Sequence, residues 1–110
     1  MANIYKNASV DLTTTDQTAL YTVPAETTAI VNSIRITNDQ SSSSTIAVVL
    51  TDSSASATFA VTGTATVGAN ASTELLTRPF VLEESDILKG TAADANRLHV
   101  IISVLQITRT

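Results

Sequence analysis

The stretch Thr58-Phe59-Ala60-Val61-Thr62-Gly63-Thr64-Ala65-Thr66-Val67 decides the fold class. Phe59, Val61, Gly63, Ala65 and Val67 fall on one face, and Thr58, Ala60, Thr62, Thr64 and Thr66 fall on the other. Successive side chains of an extended chain point to opposite faces, so a period of two marks a half-buried strand. Threonine supports that reading, because its branched Cβ is stiff and packs well on a pleated surface. Phe59 reads as a core residue. Gly63 has no side chain to pack, and it predicts a bulge or a split of the run into a hairpin.

The same period extends outward in both directions. Ile4, Ala8, Val10 and Leu12 share a face, opposite Asn3, Tyr5, Asn7, Ser9 and Asp11. Ala19 to Val23 is a short run that ends at Pro24, which cannot donate to a ladder. Thr28 to Thr37 places Ile30, Ile34 and Ile36 inward, and Thr45 to Thr51 places Ile46, Val48 and Leu50 inward. Ser72 to Thr77 is closed by Pro79, and Phe80 to Glu83 and Ile87 to Gly90 flank a polar corner. Arg97 to Ile107 is apolar on both faces, which predicts a central, well-covered strand.

Between these runs stand turn residues: Pro24-Ala25-Glu26, Asn38-Asp39-Gln40-Ser41, Asp52-Ser53-Ser54, Gly68-Ala69-Asn70 and Asp94-Ala95-Asn96. Strands spaced by about 8–12 residues indicate a sandwich or jelly roll. The expected fold is all-β: an antiparallel β-sandwich, jelly-roll-like, of about eight strands. It is expected to be one domain over residues 1–110 with a short N-terminal arm, Met1 to Tyr5.

Composition bounds the function. Hydrophobic residues make up 44% of the 110-residue chain and charged residues only 15%, which is the profile of a chain that folds around a core. Cysteine is absent, which removes disulfides, thiolate metal sites and a thiol nucleophile. The net charge is −4, and Lys6, Arg35, Arg78, Lys89, Arg97 and Arg109 are scattered. Neither nucleic acid nor an anionic membrane surface is therefore an expected partner. No apolar run reaches the ~18 residues of a membrane span. The opening Met1-Ala2-Asn3-Ile4-Tyr5-Lys6 lacks the order of a signal peptide, so a complete, soluble chain made in the cytosol is expected.

Catalytic chemistry finds little to use. His99 is the single histidine, so one chain cannot form a two-histidine metal site. Flanked by Leu98 and Val100, it reads as a strand side chain that is packed or hydrogen-bonded. A three-fold axis gathering three copies is the one route to a metal. Glu83, Glu84 and Asp86 form the densest acidic cluster, which reads as a solvated corner rather than a calcium site. Thr62-Gly63-Thr64-Ala65-Thr66-Val67-Gly68 lacks the Gly-Lys-Ser/Thr of a phosphate loop, and no Gly-x-Ser-x-Gly is present. No catalytic residue, cofactor or metal is expected, and the chain is not expected to be an enzyme. Ala55 to Thr73 holds no charged residue, and such low-charge surface suits subunits that cover one another. Ile4 and Tyr5 are the residues expected to touch a neighbouring subunit. Tyr5 is singled out because an aromatic ring stands on the polar face.

Three segments carry a family resemblance: Tyr21-Thr-Val-Pro-Ala-Glu-Thr-Thr-Ala-Ile-Val-Asn-Ser-Ile-Arg-Ile-Thr-Asn38, Leu75-Leu-Thr-Arg-Pro-Phe-Val-Leu-Glu-Glu-Ser-Asp-Ile-Leu88 and Asn96-Arg-Leu-His-Val-Ile-Ile-Ser-Val-Leu-Gln-Ile107. They resemble small virion structural proteins of tailed bacteriophages, especially phages of marine bacteria and cyanobacteria. Related sequences tend to carry a glycine near Glu84-Ser85-Asp86, where this chain has none. The resemblance implies a capsid decoration or cement protein on the outer surface of the virion. Its implied partners are the major capsid protein and further copies of itself, as a homotrimer. A neck or tail subunit (collar, tube or fibre base) is the alternative place, and a particle-displayed carbohydrate-binding domain is the rival from another class.

Overall fold

A computed structural model describes residues 2–76 and 78–108. Met1 of the expected arm and Thr77 of the expected run 72–77 lie outside the described residues. The elements are β1 (Ala2–Leu12), β2 (Thr18–Thr22), β3 (Thr27–Asn38), β4 (Ser44–Asp52), β5 (Ala57–Ala60), β6 (Ala65–Val67), β7 (Ala71–Glu74), β8 (Phe80–Leu82), β9 (Ile87–Ala92) and β10 (Leu98–Thr108). No helix occurs among the described residues.

The strands form two antiparallel sheets. The first, sheet A, runs β1-β10-β3, with β7 and β8 lying end to end along the far side of β3. The second, sheet B, runs β2-β9-β4, with β5 and β6 lying end to end along β4. First strand pairs with last, β2 with β9, β3 with β8 and β4 with β5, which is the rolled-hairpin winding of a jelly-roll-like sandwich. Gly63 lies in the break that divides the Thr58–Val67 run into β5 and β6. The two halves do not form a hairpin with each other. Both pair with β4, and the chain bows out between them with the N–H groups of Val61 and Thr62 donating to the Val48 carbonyl at 2.9 and 3.1 Å.

One apolar cluster joins the sheets. Val31, Ile34, Ile36, Val100 and Ile102 from sheet A and Ile46, Val48 and Leu88 from sheet B are fully buried in it. Each such side chain contributes roughly 1.5–3 kcal/mol by leaving water. Branched aliphatics suffice for this core, so the scarcity of aromatics costs it little. A partly buried hydrogen bond also crosses between the sheets, from Gln106 Nε2 on β10 to the hydroxyl of Tyr21 on β2 at 2.6 Å.

The expected inward set on β3 is corrected in one place. Ser103 pairs with Ser33 but Val104 pairs with Val31, so Asn32 is an extra residue with no counterpart on β10. A β-bulge of this kind inverts the alternation. Thr27, Ala29 and Val31 are buried before it, and Ile34, Ile36 and Asn38 after it. Ile30 therefore faces outward, contrary to the uniform alternation expected of Thr28–Thr37. Glu74 satisfies the bulge: its carboxylate accepts the Ile34 N–H at 2.8 Å and the Ser33 hydroxyl.

Two further expectations are corrected. Phe59 is 52% exposed rather than core. It pairs with the half-buried Leu50, but β5 has no strand beyond it, and an open cleft separates its ring from Leu76 and Phe80. β10 is central, as its apolar character indicated, but its outer face is not covered, and Ile101 is exposed there. The expected arm is, from Ala2 onward, the leading part of β1, paired with β10.

Candidate functional site

Each residue set with chemical potential has a definite place. His99 stands on β10 opposite Asp11 of β1, with Nε2 3.5 Å from Asp11 Oδ1, an ion pair whenever the imidazole is protonated. The polar corner is not simply solvated. Asp86 is only 2% exposed. Its Oδ1 accepts the Ser53 N–H at 3.0 Å and the Ser53 hydroxyl at 3.2 Å, and its Oδ2 accepts the Glu83 N–H at 2.8 Å. Asp86 thus ties the β8–β9 corner to the β4–β5 loop across the end of the sandwich. Carboxylate oxygens of Asp52, Glu83 and Asp86 come within 4.8 Å of one another. Asp86 is already engaged by these three donors, so the arrangement is that of a loop anchor.

Asp52 holds its own loop. Its Oδ1 accepts the Ser54 hydroxyl at 2.8 Å and the N–H groups of Ser54 and Ala55 at 3.1 and 3.3 Å. The Ser54 hydroxyl first, and then the Ala55 N–H, hold its carboxyl below the usual carboxylate range. At the opposite end, buried Asn38 donates to the carbonyls of Ser42 at 2.7 Å and Val67 at 3.3 Å, and its Oδ1 accepts the Gln40 N–H at 3.0 Å. No buried side-chain polar atom among the described residues lacks a partner. These buried polar groups are used up in holding loops, so none of them stands poised over a cleft.

Surface features remain. Ile4 and Tyr5, the expected subunit contacts, lie on neighbouring positions of β1, which has a strand on one side only. Ile4 is in register with the inward Gln106 yet is 46% exposed, and Tyr5 is in register with Leu105 on the outer face and is 80% exposed. Beside them, at the Asn32 bulge, is a shallow hollow lined by Tyr5, Lys6, Asn7, Asn32, Ser103 and Val104. An open apolar cleft of about 320 Å³ lies near Phe59, between Leu50, Val61, Leu76, Arg78 and Phe80. A site of this kind offers contact area.

Comparison with known proteins places this architecture. No family model matches the chain, and no curated protein does. Solved structures do. The chain is similar to a protein of a Helicobacter pylori bacteriophage capsid, with a TM-score of 0.60 and 12% identity over 100% of this chain and 90% of that one. It is similar to a protein of Bacillus endospore appendages, a family of disulfide-linked pili, with a TM-score of 0.59 and 13% identity over 98% and 89%. A Drosophila NLP core, studied for pentamer formation and histone binding, follows with a TM-score of 0.55 and 11% identity over 94% and 98%. The shared feature is the fold, carried end to end at very low identity.

The sequence reading missed Asp86 as an anchor, because adjacent acidic residues on a polar corner look alike in one dimension. One signal was present: Asp86 immediately precedes the apolar pair Ile87-Leu88, where a turn must hand the chain back to the core.

Proposed function

We propose that this chain is a structural subunit of a virion, working as a capsid decoration or cement protein that binds the assembled shell from outside. The observation that carries the reading is a fold similar, over all of this chain and 90% of that one, to a phage capsid protein. The sequence resemblance to small virion proteins of tailed phages points the same way. The buried carboxylate of Asp86 and the amide of Asn38 serve loops, and the exposed apolar groups Ile4 and Tyr5 sit on an edge strand, which is how a contact surface is built. On this reading the chain performs no reaction. Its partners are the major capsid protein and further copies of itself, arranged as a trimer.

A cement protein stabilises by mass action, because it binds the closed shell and not its dispersed subunits. The test uses phage particles lacking this chain, titrated with the purified protein. Saturable binding at a fixed ratio, with a higher temperature of particle disruption, is the expected result. A protein that leaves both binding and disruption temperature unchanged contradicts the cement role. The likeness to an appendage subunit favours a second placement, as a neck or tail component. In that case binding saturates at a few copies per particle.

A further inference from the structure

The strand registers bring together residues that are far apart in sequence. Tyr5 pairs with Leu105, Leu105 with Ile30, and Ile30 with Val81. Directly opposed residues of an antiparallel pair point to the same face. These four therefore form one row across β1, β10, β3 and β8 on the outer face of sheet A. Tyr5 and Val81, at its two ends, are the most exposed large hydrophobic residues of the described chain, Val81 at 57%. The rows on either side, Asn3-Ile107-Thr28 and Asn7-Ser103-Ser33, hold no charged residue.

We propose that this face, centred on the Tyr5-Leu105-Ile30-Val81 row, is the surface through which two copies of the chain meet, sheet against sheet. The inference rests on the subunit reading and replaces its trimer with a two-fold pair, because a patch that meets its own copy closes as a dimer. Two observations select a second copy as the occupant. The first is charge. The chain carries −4, so two copies repel unless they meet through a face that is itself neutral. Charged groups border this neutral centre rather than fill it: Lys6 lines the hollow beside Tyr5, the Glu74 carboxylate accepts from the Ser33 hydroxyl, and Arg35, His99 and Asp11 stand toward the far end. The second is size. Four strands spaced ~4.8 Å apart, along the 11 residues of β10 at ~3.4 Å each, make a face of roughly 700 Å², so a pair of this size covers the charged end as well as the uncharged rows. A standard interface uses about 800 Å² per partner.

The experiment measures solution mass of the full chain by sedimentation from about 1 µM to 1 mM, beside Tyr5→Glu and Val81→Glu. Both side chains are exposed, so the variants keep the fold, checked by circular dichroism and unfolding midpoint. A wild-type dimer that each variant separately weakens by 10-fold or more supports the proposal. Association weakened by Tyr5→Glu but not by Val81→Glu overturns it in favour of edge pairing through β1, because Val81 lies at the opposite border of the sheet. A wild-type chain monomeric throughout also overturns it. If such a monomer still binds particles and both variants abolish that binding, the face belongs to a shell protein and the subunit reading survives. If the monomer does not bind particles either, both readings fail together.

Discussion

Asp86 shows how much one buried carboxylate can organise. Replacing it with alanine removes the acceptor from the partly buried N–H groups of Ser53 and Glu83, and each lost hydrogen bond to a charged group costs about 1.5–3 kcal/mol. Asp86→Ala is therefore expected to lower unfolding free energy by about 3 kcal/mol in urea titration. Its neighbour Ser85 is strained in the other sense. The Asp86 N–H donates to the Glu83 carbonyl at 3.1 Å, closing a turn whose third residue, Ser85, has φ 69°. That left-handed position favours glycine. Ser85→Gly is expected to add up to about 1 kcal/mol of stability, read as a higher urea midpoint. Asp52 supplies a pH dependence. Its carboxyl is held below the usual range, so its contribution is present above the unfolded carboxylate value and is lost as pH falls through the folded one. Unfolding titrations from pH ~6 to ~3 should show a loss of stability on acidification that Asp52→Asn reduces. The turns themselves were legible: Glu26, Asn70 and Asn96, all with positive φ, fall in segments whose composition already marked them. The Asp86 anchor was not legible, because burial depends on which loops a corner meets.

At the scale of elements, period-two alternation identified most strands because each sheet has one face in the core and one open. It failed where the backbone inserts a residue. Asn32 shifts the phase of β3, and nothing in Ile30-Val31-Asn32-Ser33-Ile34 distinguishes that bulge from an uninterrupted strand. This gives a paired expectation. Deleting Asn32 keeps every other register pair of β3 and restores strict alternation, so the chain should still fold, losing no more than about 2 kcal/mol. Deleting Arg35 puts the residues on its two sides out of phase, turning either Ile36 or Ile34 out of the core. That variant should lose its cooperative unfolding transition by circular dichroism. Phe59 failed for a different reason. Its alternation is correct, but inward on a border strand is not the same as covered.

On the scale of the molecule, the rolled winding sets what two ends and two faces can do. Loops at both ends are pinned by Asp86 and Asn38, while the outer face of sheet A carries an uncharged apolar row assembled from four strands. Strand order is not written in alternation, so that row was invisible in the sequence, although Tyr5 at its border was singled out. A sandwich with open contact surface on one sheet is suited to repeating assembly. Electron microscopy of the intact phage particle tests this role most directly. Density for a ten-strand sandwich, repeated at symmetry-related positions on the outside of the shell, is the expected result. Purified, infectious particles with no such density on head, neck or tail would contradict it.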